Sequence, residues 1–396
     1  MTEIVADAKW WDSIPDDFYR KREGTELDAI HPLKVHGSAA IDRAMRTGLA
    51  SVMTAAVAPV WLVPGRFRHD MERLKFHAEL AKQGDSHISF PKPPRTEVRE
   101  MQPKLFGYRP WRIPYRLLKM ESTFQPLHPE LTGSYHLHPR NSTAYAQHWY
   151  HKDGPRPTLI MVHGFIADPY WFNAQMFSLG WFHHHGYDVL LYTLPFHGYR
   201  GGPWDWFSGY GLFNRGLAHF NEAMLHAVHD LRCFVDHLQD SGVKQIGITG
   251  LSLGGYTSAL MAGIEDRLSF CIPNSPVVSP VDLMREWQPT GTMMALMLKL
   301  YGIELREMRE GLAIHGPLTY QPKIDPRRIL IIGGAGDRFT PPKHVRMLHG
   351  HWPGSTLHWF PGNHLLHLRQ SEYLRVMKRF MDRCVAAPVS LETSAA

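Results

Sequence analysis

Apolar and polar positions along the chain follow two periods. Short continuous apolar runs at Leu159–Val162, Val189–Leu194, Ile246–Thr249, Leu268–Ile272, Ile329–Ile332 and Thr356–Phe360 read as strands buried on both faces. Between them the pattern changes to recurrence every three or four residues. In the span 217–238, Leu217, Phe220, Met224, Val228, Leu231, Val235 and Leu238 share one face and predict a long helix packed on a sheet. Helices are also expected over 171–185, 343–350 and 372–384. Strands alternating with helices imply a mostly parallel sheet covered on both sides, so the fold class is α/β. Ahead of this alternation, residues 117–150 carry Tyr-, His- and Thr-rich pieces broken by Pro126, Pro129, Gly133 and Pro139, which predict leading antiparallel strands.

The run Ile246–Thr249 ends in Gly250-Leu251-Ser252-Leu253-Gly254, and a helical pattern starts at once with Tyr256. A serine on a sharp strand-to-helix turn, flanked by glycines that let the backbone pass closely, is a nucleophile elbow. The pentapeptide alone arises by chance in many long chains, so its weight rests on finding an acid and a base later in the chain. Ile329–Ile332 runs into Gly336-Asp337, placing an acid at the carboxyl end of a later strand. Thr356–Phe360 runs into Asn363-His364, placing a base after the next one. The order serine, acid, histidine is the order this chemistry uses on α/β sheets. A serine hydroxyl needs a neighbouring base to become a nucleophile, and the acid fixes the imidazole tautomer. Ser252, Asp337 and His364 are therefore the expected catalytic residues, with His367 as a rival base. The oxyanion donors are expected to be the backbone N–H groups of Leu253, in the elbow, and of Phe165, after the strand that ends in His163-Gly164.

On these motifs the chain resembles the α/β-hydrolase superfamily over residues from about 115 to 386. The stretch Gly247–Gly255 and the span Pro341–His364, with Trp352-Pro353-Gly354 inside it, are similar to the α/β-hydrolase domain-containing protein 18 type. The resemblance implies the α/β-hydrolase fold and a serine hydrolase acting on a carboxylic ester through an acyl-enzyme. A thioesterase or acyltransferase would use the same residues. A noncatalytic scaffold is the alternative from another class, against which the intact Ser252, Asp337 and His364 argue. No cofactor is required by this chemistry, and the expected partner is a small-molecule ester.

Substrate contacts are expected from two insertions. The loop 197–213 carries Trp204, Trp206 and Phe207, which either line an acyl pocket or anchor the loop. The insertion at 279–322 carries a methionine-rich stretch with Met293 and Met297, suited equally to a pliable acyl-binding lid and to a plain cap core. Residues 1–105 form an expected helical extension and linker, with the hydrolase domain over 106–396. From Thr47 to Gly65 there is no charged residue. That stretch reads as a helix buried on the core or in an oligomer interface, or else as one attached to a membrane surface.

The net charge of +6 on 396 residues is modest and no basic patch is interleaved with aromatics, so nucleic acid is not an expected partner. Cys233, Cys271 and Cys384 match no metal or redox spacing, and residues 1–11 show no secretory leader, so the expected location is cytoplasmic, with membrane association through 47–65 as a variant. The 26 histidines include His183-His184-His185, but none joins a carboxylate in a metallohydrolase motif, and no metal is expected.

Overall fold

A computed structural model describes residues 9–21, 32–102 and 107–386. The boundary expected at 105/106 and the first eight residues of the N-terminus lie outside them. Nine strands form one sheet: β1 Arg99–Met101, β2 Tyr115–Glu121, β3 Thr143–Trp149, β4 Thr158–Val162, β5 Asp188–Thr193, β6 Ile246–Leu251, β7 Phe270–Asn274, β8 Leu330–Gly334 and β9 Thr356–Phe360. Their order is β1-β2-β3-β5-β4-β6-β7-β8-β9, antiparallel from β1 through the β3–β5 pair and parallel from β5 to β9. β4 pairs with β5 on one side and β6 on the other, so the winding direction reverses at β4. In open α/β sheets the crevice at such a reversal, at the carboxyl ends of the strands, is where ligands bind.

The apolar strands pack as their unbroken hydrophobicity demands. In β4, Leu159 and Met161 face one layer and Ile160 and Val162 the other, and β5 alternates in the same way through Val189, Leu190, Leu191 and Tyr192. One layer is built by the helices Tyr170–Met176, Leu179–His184 and Gln370–Ala386, the other by Leu217–Asp240, Leu253–Ile264 and Pro342–His351.

Two local readings change. The single helix expected over 171–185 is two, because Ser178 adopts φ 50° between them and redirects Leu179 and Phe182 into the core. The edge strand β1, three residues long and partly charged, carries no apolar alternation from which to foresee it.

A larger difference concerns the helix Leu217–Asp240. All seven residues of its expected stripe are buried, but so are His219, Asn221, Glu222, His226, Asp230 and Asp236 on its other sides. The N-terminal helix Pro64–Gln83 packs against part of that polar side, while Asp230 is met by Arg200 and Asp236 by Arg267. His77 Nε2 lies 2.8 Å from Glu222 Oε1, and the Glu222 carboxylate also accepts from Leu127 N and His128 N. Asp70 reaches across from Pro64–Gln83 to cap the long helix, accepting from Leu217 N at 2.6 Å and Ala218 N at 3.1 Å. The approach requires glycine at 216, where φ is 103° and a Cβ would sit 2.5 Å from Asp70 Oδ2.

The uncharged stretch 47–65 lies mostly in the helix Pro32–Trp61, with Ala50, Met53, Ala56, Val57, Val60 and Trp61 buried and Val52, Leu62 and Val63 exposed. No single described helix is long and apolar enough to cross a membrane; Val35–Trp61 and Pro64–Gln83 pass such a test only as a pair, and they meet at 92°.

Asp70→Ala removes both cap acceptors and lowers stability by about 1–2 kcal/mol, read as a lower urea midpoint at unchanged slope.

Candidate active site

The elbow forms where β6 meets the helix Leu253–Ile264. Ser252 adopts φ 59° and ψ −113°, outside the common regions for a side-chain-bearing residue, a conformation that costs about 1–3 kcal/mol. Its backbone is held on both sides: Ser252 N donates to Asn274 O at 3.0 Å, and Tyr256 N donates to Ser252 O at 2.8 Å. The glycines provide clearance. A Cβ at Gly250 would sit 2.5 Å from Val162 O, one at Gly254 2.0 Å from the same oxygen, and one at Gly255 2.5 Å from Asn274 O. The turn is thus pressed against the end of β4 at a distance no side chain permits.

The loop after β4 closes on the elbow from the other side. A Cβ at Gly164 would lie 3.3 Å from Leu251 O and 3.8 Å from Ser252 Cβ. His163 shapes this loop: its Nε2 accepts from Leu194 N at 3.0 Å, so its Nδ1–H donates to Gly164 O at 2.8 Å. Burial pushes His163 below the ordinary histidine range, consistent with a neutral structural ring. Among the described residues the backbone N–H groups of Phe165 and Leu253 donate to no protein acceptor, and both residues line one cavity with Ser252.

Asp337 and His364 stand together on the loops after β8 and β9. Asp337 Oδ1 accepts from Thr340 N at 2.7 Å and Oδ2 lies 2.8 Å from His364 Nδ1. An ionised carboxylate can only accept, so Nδ1 carries the proton and the Nε2 lone pair is left to act as a base. Phe339 stacks on the His364 ring at 5.1 Å, and Trp287, in the insertion between β7 and β8, packs edge-on against Phe339 at 5.7 Å. Burial pushes His364 down, but Asp337, through charge and hydrogen bond, and then Asp42 outweigh it, and the net shift is upward. His367 does not share this position. Its Nδ1 meets Tyr373 Oη at 2.8 Å, and burial, with the His364 charge beside it, pushes it down to about 4. Ser252 Oγ makes no hydrogen bond among the described residues; contacts between nucleophile and base commonly tighten only as substrate enters.

Trp287 also belongs to the wall of the cavity at Ser252. This space of about 90 Å³ is lined by Met53, Phe165, Phe213, Phe220, Ser252, Leu253, Tyr256, Val277, Pro280, Leu283, Met284 and Trp287. A smaller one of about 10 Å³ continues it towards Trp61, sharing Met53, Phe213 and Met284. The expected loop residues lie elsewhere. Trp204 and Trp206 are 89% and 67% exposed, and Phe207 is half-buried with its ring edge-on to Phe165 at 5.8 Å. Met297 is buried in the core and Met293 is packed against it, neither in the cavity wall. The wall is supplied by Phe213, the last residue of that loop, by Phe220 in the helix that follows, by Leu283 and Met284 of the insertion, and by Met53 of the N-terminal helix. Larger grooves lie away from Ser252; one of about 480 Å³ runs between Pro64–Gln83 and Leu305–Gly311 among Lys75, Glu79, Lys82, Glu307 and Glu310.

Asp42, also from Pro32–Trp61, is the residue sequence reasoning misses. It is buried, and its Oδ2 accepts from Arg338 N at 2.9 Å and His364 N at 3.1 Å. Burial and then the Asp337 charge raise its carboxyl to about 6, against the two N–H bonds that lower it. An acid 295 positions before Asp337 offers no sequence signal beyond its place ahead of an uncharged helical run.

One group of possible metal donors occurs among the described residues, His151, His183 and Asp188, with ligand atoms within 4.8 Å of one another. It lies at the start of β5, the opposite end of the sheet from Ser252. The two rings stack at 4.0 Å, and Asp188 Oδ1 is engaged by the His151 N–H and Nδ1.

No family model matches the chain. It is 29% identical over 287 residues to an uncharacterized protein found in two strains of Mycobacterium tuberculosis, a match covering 69% of this chain and 64% of the relative. Among solved structures it is similar to acetyl xylan esterase 1 from a Thermoanaerobacterium species, with a TM-score of 0.53 and 15% identity over 79% of this chain and 94% of that one. It is also similar to an acetyl xylan esterase from a Paenibacillus species, with a TM-score of 0.50 and 16% identity over 78% and 94%. The architecture is the α/β-hydrolase fold, as the sequence motifs imply.

Two measurements check the geometry. Gly254→Ala, forced against Val162 O, destabilises the protein by about 3 kcal/mol or more, whereas Gly164→Ala costs less because its neighbours stand farther off. In an imidazole titration followed by NMR, His364 titrates above the ordinary value of about 6.5 and His367 near 4.

Proposed function

We propose that the protein is a serine hydrolase that cleaves a carboxylic ester with an apolar acyl group. The observation that carries this reading is Ser252, held at a positive φ at the reversal point of the sheet and opening into an apolar cavity whose wall, through Trp287 and Phe339, reaches the buried Asp337–His364 pair. His364 Nε2 takes the Ser252 proton as Oγ attacks the ester carbonyl. The Phe165 and Leu253 N–H groups receive the oxyanion. As the tetrahedral intermediate collapses, His364 returns the proton to the departing alcohol, leaving an acyl-serine. Water, deprotonated by the same base, then releases the acid. Asp337 stabilises the imidazolium without taking its proton.

The acyl group occupies the cavity beneath Met53, Phe213, Phe220 and Met284. Within the superfamily we place the chain with the α/β-hydrolase domain-containing protein 18 type, on the elbow Gly247–Gly255 and the span Pro341–His364.

Ser252→Ala abolishes labelling by a fluorophosphonate probe and lowers p-nitrophenyl ester turnover by about 1,000-fold or more. In the wild type, each added acyl methylene raises kcat/KM by about four-fold until the cavity is filled. Met53→Trp, which fills that space, flattens the series and leaves acetate the preferred ester. Because the base must be neutral, kcat/KM falls as pH drops through the raised His364 pKa, so its acid limb lies above about 6.5. Probe labelling that persists in Ser252→Ala would overturn the assignment of the nucleophile.

A further inference from the structure

Asp42 and Arg46 stand one turn apart on the helix Pro32–Trp61 and hold the same residue of the acid loop. Asp42 Oδ2 accepts from Arg338 N at 2.9 Å, and Arg46 Nη1 donates to Arg338 O at 2.8 Å. The residue so pinned comes directly after Asp337. The same Asp42 oxygen accepts from the backbone N–H of His364, so one carboxylate atom ties the acid loop to the base loop. Asp42 Oδ1 is buried without a hydrogen-bond partner among the described residues. An acceptor left unsatisfied in a dry site is costly, and a neutral group could hold both N–H groups without keeping a second negative charge beside Asp337.

We propose that Asp42 is a positioning residue for the base: its carboxylate holds the acid and base loops in register and adds negative charge behind His364, making the N-terminal helix a working part of the active site. The inference rests on the serine hydrolase reading for its catalytic consequence, but not for its electrostatic one. As His364 accepts the Ser252 proton it becomes an imidazolium, and a carboxylate against its backbone favours that form. The charged and titratable groups around Asp42 are Arg46 on its own helix, Asp337 and Arg338 on the acid loop, and His364 on the base loop; Glu286 lies beyond Arg46 and bridges it to Lys343, and His367 lies beyond His364. Burial raises the Asp42 carboxyl to about 6, so it is ionised at neutral pH, where His364 must act.

The test is Asp42→Asn, whose amide oxygen keeps both N–H partners while the charge is lost. Titration of the His364 imidazole by NMR reads the effect without any substrate. The expected result is a His364 pKa lower by roughly half a unit to one unit, with His367 little changed. The acid limb of kcat/KM moves down in pH by the same amount. Asp42→Ala, which also removes the acceptor, lowers kcat/KM at all pH values by about 10- to 100-fold through misplacement of the base. An unchanged His364 pKa in a folded Asp42→Asn protein overturns the proposal. A lowered pKa in a protein that never turns over an ester leaves Asp42 in its role and removes the hydrolase reading instead. If Asp42→Asn does not fold, carbon-13 labelling of the aspartates in the wild type decides: one carboxyl titrating near 6 in step with His364 is expected, and its absence overturns the proposal.

Discussion

The contact on which the site depends is between two backbones. The elbow after β6 lies so close to the end of β4 that Val162 O occupies the space where side chains at 250 and 254 would begin. That approach sets the positive φ of Ser252, directs its side chain into the crevice beside β4, and leaves the first N–H groups of the adjoining helix without acceptors. It also brings the next loop, through Gly164, against the same serine. The strain at one residue is carried by a sheet whose neighbouring strands are buried on both faces and cannot yield cheaply.

Charge is the second constraint. The molecule buries Asp42, Asp70, Glu222, Asp230, Asp282 and Asp337, each a liability unless its oxygens find donors. Asp230 is met by Arg200 and His226, and Asp282 by Arg309. Asp70 and Asp42 are met by backbone N–H groups that a helix start and two loops would otherwise leave unpaired. The contacts of Asp70 and Asp42 draw the N-terminal helices onto the hydrolase core. The same helix that carries Asp42 to His364 carries Met53 to the apolar cavity at Ser252, so the electrostatic and apolar halves of the site share one support.

The cavity is a product of assembly. Its wall takes residues from the loop after β4, the approach to the helix Leu217–Asp240, the elbow helix, the insertion between β7 and β8, and the N-terminal helix. Of the aromatic and methionine-rich stretches that attract attention in the sequence, Phe213 lines the cavity, but Trp204 and Trp206 point into solvent and Met297 into the core. Whether an apolar side chain faces substrate, core or water depends on helix rotation and loop path, and composition contains neither.

Local physics made much of the chain legible. Unbroken apolar runs specify strands buried on two faces, glycines around Ser252 specify a close turn, and an acid and a histidine at the ends of later strands specify where those side chains emerge. All of these are legible because they are governed by neighbours a few residues away. The polar side of Leu217–Asp240 is buried because distant segments supply its partners: His77 for Glu222, Arg200 for Asp230 and Arg267 for Asp236. Nothing near Asp42 in the sequence marks it, and the residue that pins it lies 296 positions later. The sequence by itself determined the sheet, the elbow and the order of serine, acid and base. Only the tertiary structure decided which helix roofs the site and which buried charge stands behind His364, because those outcomes depend on desolvation and partners that exist only after distant segments pack.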